Sequence, residues 1–186
     1  MLMYIGACGW DHKEWENTYY DKDLPADWRL TFYARQYKTV LVPYEYWSSK
    51  TIDNITEFGN DVGDEYPIIF EMPEDQEKLT HKFEKPLAEI IKNQIRFNSA
   101  DWQYNTDHYL IEQAEILHNT SLGENVAVFK VSAEIDLIDK VIREILQTLK
   151  KEFHSISIIY LFFDGALLNI NSISTGCTLL RFQNLT

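Results

Sequence analysis

The last third of the chain restricts the fold most sharply. IDLIDKVIREILQTLKKEF (Ile135 to Phe153) places Ile138, Val141, Ile142, Ile145 and Leu149 on one continuous stripe of helical period. ISIIYLFF (Ile156 to Phe163) follows and is apolar on both faces. A strand with one wet face alternates, whereas a strand apolar on both faces must be covered twice, as parallel strands between helical crossovers are. The pair therefore predicts an α/β fold rather than a sandwich or a bundle.

The same alternation runs back to the start. MYIGAC is a short strand closed by Gly9, and LPADWRLTFYARQY is a helix with Pro25 and Asp27 as start signals and Trp28, Phe32 and Tyr33 at helical spacing. TVLVPY (Thr39 to Tyr44) is a strand stopped by Pro43. A helix follows, capped by Ser48 or Ser49, with Ile52, Ile55 and Phe58 on one face and Gly59 as its terminator. YPIIFEM is a third strand, and Pro86 opens a helix carrying Leu87, Ile90 and Ile91. Thr106 and Asp107 precede a helix with Leu110, Ala114 and Leu117, VAVFKV (Val126 to Val131) is a strand, and a last weak helix follows Asp164 and Gly165.

Composition removes several classes of function. Seventeen basic against 29 acidic side chains leave a formal charge of −12, which argues against nucleic-acid binding, because Lys and Arg neutralising phosphates supply most of that affinity. Cys8 and Cys177 are the only cysteines, without CxxC or Cys/His metal spacing, so no metal site and no disulfide framework is expected. No apolar run approaches the ~20 residues that cross a bilayer, and MLMYIGACGW has no signal-peptide pattern, so the expectation is a cytoplasmic protein away from membranes. At 186 residues, one domain over 1–186 is the default. No phosphate loop, GxSxG, HExxH or DxDxDG motif occurs, and the cofactor stays unknown.

IGACGWDHKEWENTYYDKDLPADWRLTFYARQYKTV (Ile5 to Val40) resembles the opening of the YecE-like proteins, known as domain of unknown function 72. Gly6, Gly9, Trp10, Trp15, Tyr20, Leu24, Pro25, Trp28, Tyr33, Ala34, Arg35 and Val40 match that pattern in order and spacing. FEMPEDQEKLTH (Phe70 to His81) is similar to the family's third strand and the segment after it, and RFNSADW and IYLFFDGALLNINS are looser echoes. The resemblance implies a TIM-barrel-like (β/α) fold with a pocket at the C-terminal strand ends, and it carries no established activity. A complete eight-stranded barrel needs about 200 to 250 residues. The shorter chain, with about six parallel strands, is therefore expected to form an incomplete or distorted barrel lacking two strand–helix units between Gln94 and Ser157. Where the resemblance implies a carboxylate and an amide on the second strand, Leu41 and Pro43 stand, and the implied lysine of the third strand is Glu71. The ancestral site is thus expected to be remodelled or lost.

Residues just past strand ends hold the functional face of such a barrel. Asp11, Glu71, His81 and Asp164 are the candidate catalytic residues on that ground. Trp10, Arg35, Tyr46 and Trp47 are the candidate ligand-binding residues, through a guanidinium fork and aromatic faces. Each has a plainer reading: Trp10 as a plug in the mouth, Asp11 as a turn residue, His12 as a solvated ring, Arg35 in an ion pair, Tyr46 and Trp47 covering a sheet edge, Asp164 as a helix cap. Cys8, His12, Glu71 and His81 form a metal set only if the fold gathers them. Three functions compete: binding of a small polar metabolite, barrel-type hydrolase or isomerase chemistry, and a non-catalytic homodimer that covers an exposed edge.

Overall fold

A computed structural model describes residues 1–73, 91, 93–97, 102–106, 109–119, 122, 125–133, 139–165 and 170–183. Its strands are β1 (Leu2–Ala7), β2 (Val40–Val42), β3 (Ile68–Glu71), β4 (Asn93–Phe97), β5 (Gln103–Asn105), β6 (Tyr109–Asn119), β7 (Val126–Ala133) and β8 (Ile158–Asp164). Its helices are α1 (Arg29–Gln36), α2 (Tyr44–Trp47), α3 (Ile52–Val62), α4 (Asp139–Glu152) and α5 (Ile170–Gln183). The helix expected at Pro86 to Ile90 lies outside the described residues.

Hydrogen bonding orders the strands β1-β8-β7-β6-β4-β3-β2, with β5 attached to β6. The two ends of that order meet: Cys8 bridges Leu41, and the Gly9 amide donates to the Leu41 carbonyl at 2.8 Å. The result is a nearly closed ring. Gly6 is needed at this seam, since a Cβ there would lie 2.4 Å from the Thr39 carbonyl oxygen. The Tyr33 hydroxyl spans the seam beside it, accepting from the Ala7 amide at 2.8 Å and donating to the Thr39 carbonyl at 3.3 Å.

The sheet is mixed, which corrects the expectation of about six parallel strands. β8 runs parallel to β1 and β7, and β3 runs parallel to β2 and β4, but β6 is antiparallel to both β4 and β7. The helix expected from Thr106 onward is therefore the strand β6. Its Leu110, Ala114 and Leu117 fit a helical stripe, but the segment is paired on both sides: its second half with β4, its first half with β7 and β5. Long-range pairing overrides a short local period of this kind. Thr106, expected as a helix cap, instead closes a hairpin, its Oγ1 accepting from the Tyr109 amide at 3.1 Å. Hydroxyl-to-amide bonding is the same chemistry in both settings, so the residue type did not separate them.

Two further boundaries move. α3 is capped by Thr51, whose side chain accepts from the Asn54 amide, and it runs through Gly59 to end before Gly63. In α1, Leu30 and Tyr33 are buried while Phe32, and Trp28 just before the helix, face solvent. Side chains alternate along the ring strands as the pleat demands. Ile5, Val42, Phe70, Phe129 and Leu161 point outward into the layer under the helices. Cys8, Leu41, Ile69, Ile95, Val128 and Phe162 fill the interior. No helix among the described residues is long and apolar enough to cross a membrane.

Candidate functional site at the barrel mouth

The parallel strands all finish at one end of the ring, and the inward parity of each places a defined side chain there. β1 delivers Cys8, β3 Glu71, β4 Phe97, β7 Lys130 and β8 Asp164. Lys130 reaches across the ring, its Nζ lying 3.0 Å from Glu71 Oε1 and 4.2 Å from the centre of the Phe97 ring. The two paired side chains are only 14% and 17% exposed, so the pair is largely withdrawn from water. Glu112 of β6 stands opposite Lys130 in the register and accepts from Gln103 Nε2.

Electrostatics set the protonation of this group. Burial alone would push the Lys130 ammonium down. The charge and hydrogen bond of Glu71, with the Asp164 carboxylate behind it, outweigh burial and hold the lysine above its ordinary value. Burial pushes the Cys8 thiol well up, and the carboxylates of Asp164 and Glu71 push it further in the same direction. The mouth thus offers one fixed ammonium, acidic acceptors and a neutral thiol. It can orient a polar molecule; neither the lysine as a free amine nor the cysteine as a thiolate is available for attack.

The surrounding turns hold these groups in place. Gly9, at φ 81°, lets the chain turn out of β1 immediately after Cys8. His12 Nε2 lies 2.8 Å from the Cys8 carbonyl, which can only accept, so this nitrogen carries the proton. The ring also leans on Trp15, with centroids 4.4 Å apart. His12 is therefore a clasp on the turn, not a solvated ring. Trp47 is fully buried, and its Nε1 donates to the Glu71 carbonyl at 2.8 Å, bracing the end of β3.

The sequence candidates separate into groups. Glu71 and Asp164 share the mouth, with Trp47 behind Glu71. Asp11 is bound by Arg29, which also pairs with Glu16 at 2.9 Å, so it ties the loop after β1 to the start of α1. Trp10 packs edge-on against Tyr46 at 5.2 Å and Phe58 at 5.0 Å, on the side of α2 and α3. Arg35 is exposed in the last turn of α1, on the way back to the start of β2. His81 lies outside the described residues. Among the described residues, no group of three or more His, Cys, Asp or Glu is placed to hold a metal ion.

Lys130 was not found by sequence reasoning. Its signal was present: in VAVFKV, the alternation that sends Val126 and Val128 to one face sends Lys130 with them, putting a cation on a buried face. The lysine that the family resemblance implied on the third strand is replaced there by Glu71. The cation of the mouth comes instead from β7, and Leu41 faces the interior where a carboxylate was implied.

The sequence profile described as "Protein of unknown function DUF72" matches residues 4–134. No curated protein matches the chain. The crystal structure of a DUF72 family protein from Thermotoga maritima, at 2.20 Å resolution, is similar in fold, with a TM-score of 0.53 at 12% sequence identity. The match covers 100% of this chain and 99% of that one.

Proposed function

This chain belongs to the DUF72 family of proteins of unknown function, and on that premise we propose that it binds a small polar ligand at the barrel mouth, between Lys130, Glu71 and Asp164. The buried Lys130–Glu71 pair carries the reading. Apolar residues of similar volume would pack such a position at equal or greater stability, so an ion pair inside a ring otherwise filled by Leu41, Ile69, Ile95 and Phe162 has a use beyond folding. Its place at the C-terminal strand ends is where barrels of parallel strands hold their ligands. Lys130 donates to an acceptor on the ligand, and the carboxylates accept from its hydroxyl or amide hydrogens. The excess of acid selects an uncharged, hydroxyl-rich molecule over a second anion.

A thermal-shift screen of neutral sugars, polyols and amides tests this. The expected result is a hit whose stabilisation disappears in both Lys130→Met and Glu71→Gln. Hits that survive both substitutions, or a library without a hit, refute it. Consumption of the hit by the native protein, lost in Asp164→Asn, would add acid/base chemistry to the same site.

A further inference from the structure

The ladder register carries a further polar group to the mouth. β7 pairs with β8 without interruption from Val126 to Ser132, and the pleat sends Val126, Val128, Lys130 and Ser132 inward. Val131, between the last two, faces outward into the layer under the helices. Ser132 therefore stands one pleat above Lys130, about 6.6 Å further along the strand. It is directly opposite Asp164 in the register, and Asp164 shares the inward parity of Tyr160 and Phe162 on β8. Adjacent strands lie about 4.8 Å apart, so the hydroxyl and the carboxylate are neighbours on one face. The fold uses neither. Among the described residues no hydrogen bond or ion pair engages the Ser132 hydroxyl or the Asp164 carboxylate, and both residues are partly exposed.

Resting on the reading that the mouth binds a small polar ligand, we propose that Ser132 belongs to that site and that the ligand is a neutral polyol presenting two adjacent hydroxyls, a sugar or sugar alcohol. The inventory of donors and acceptors leads there. Lys130 can only donate and, with one proton committed to Glu71, has two left. Asp164 can only accept, whereas a serine hydroxyl does both. A ligand hydroxyl between Lys130 and Asp164 accepts from the ammonium and donates to the carboxylate. The next hydroxyl, displaced toward Ser132, donates to the second carboxylate oxygen and accepts from the serine. A vicinal diol supplies both hydroxyls in one unit, while an amide or a lone alcohol satisfies only part of the set. Leu110, opposite Ser132 on β6, gives the carbon skeleton an apolar face. Charged ligands are disfavoured from both sides: Lys130 repels an amine, while Asp164 and Glu112, the latter opposite Lys130 in the register, repel an anion.

Titration calorimetry of the full chain with methyl ribofuranoside, and with methyl 2-deoxyribofuranoside as the counterpart lacking the diol, tests the assignment. The riboside is expected to bind about ten-fold tighter or more, since the deoxy sugar leaves Ser132 and Asp164 short of a partner. Ser132→Ala should weaken the riboside about three- to ten-fold, the scale of one hydrogen bond. Ser132→Thr, which keeps the hydroxyl, should retain it. Because the serine hydroxyl bonds nothing in the free protein, Ser132→Ala should leave the ligand-free unfolding curve unchanged, and a destabilised curve would show a structural role instead and overturn the proposal. Riboside binding that survives Lys130→Met would place the sugar away from the mouth and overturn the underlying reading together with the proposal. Binding that needs Lys130 but is equal for the deoxy sugar, or indifferent to Ser132→Ala, would overturn the proposal alone. So would the absence of riboside binding, with the thermal-shift screen deciding separately whether the mouth takes another ligand.

Discussion

Removing Lys130 separates a working ion pair from decoration more cleanly than removing its partner. In Lys130→Met, Glu71 keeps its place, 17% exposed, with Asp164 on β8 as a like-charged neighbour and no cation between them. Breaking a fully buried pair costs about 3–5 kcal/mol, and the residual exposure of both side chains brings the expectation to about 2–3 kcal/mol. Glu71→Gln is milder, because Lys130 still faces the Asp164 charge and gains an amide acceptor; about 1–2 kcal/mol is expected. The double variant removes both buried charges and should recover part of the loss, with a coupling energy of at least ~1 kcal/mol in the cycle. Urea unfolding of the four proteins supplies the numbers, with unchanged m-values as the check that the same surface is exposed. The losses should persist at high salt, since a pair this withdrawn from water is poorly screened. Strict additivity, or a Lys130→Met loss below ~0.5 kcal/mol, the range of an ordinary surface substitution, would refute the account of the mouth as an electrostatic unit.

Three further outcomes follow from the scaffold. Tyr33→Phe leaves the Ala7 amide and the Thr39 carbonyl unpaired in a fully buried seam, and should cost about 2–3 kcal/mol with selectively faster hydrogen exchange at Ala7. Trp47→Phe loses the bond to the Glu71 carbonyl; it should cost about 1–2 kcal/mol and weaken any ligand found at the mouth. Alkali should unfold the protein between about pH 9 and 12. Burial raises Cys177 to about 11 and Tyr37 and Tyr160 to about 12, and it also raises Tyr19, Tyr20, Tyr33 and Tyr66. Folded groups with raised values hold protons that the unfolded chain releases, so stability is complete below the unfolded values and falls as pH rises through the folded ones. Phenolate absorbance should therefore rise together with loss of circular dichroism; tyrosines that ionise freely in a still-folded protein would contradict the burial of these hydroxyls.

The parts of the fold that were legible in the sequence are those whose local pattern and tertiary role agree. α4 and β8 are such a pair: the stripe from Val141 to Leu149 is the face the helix buries, and the doubly apolar strand is covered on both sides. β6 is the opposite case, because nothing local distinguishes its Leu110, Ala114 and Leu117 from a helical stripe, and its partners lie on strands before and after it. The site divides in the same way. Glu71 and Asp164 were legible because they end strands. Lys130 was missed because VAVFKV was read as a strand without following its alternation to the buried face, and its charge acquires a partner only when β3 and β7 are set across one ring.

The reversed strand also explains how a chain of this length nearly closes its ring. Parallel neighbours need a crossover of a dozen residues or more for every strand added. Between Asn93 and Ala133 the chain instead makes an antiparallel meander, in which β6 bridges β4 and β7 directly. Direct pairing closes the ring at that point and changes the mouth. The N-terminal end of β6, not a strand-to-helix loop, reaches the mouth there, bringing Glu112 beside Lys130 in the register. In a barrel whose loops carry the chemistry, losing them would remove the site. Here Cys8, Glu71, Lys130 and Asp164 sit at the ends of strands, where ladder register fixes them independently of the loops. The shortened ring therefore keeps a charged mouth, and perturbing the strands, through Tyr33 at the seam or Trp47 behind β3, should disturb that mouth more than altering any loop residue around it.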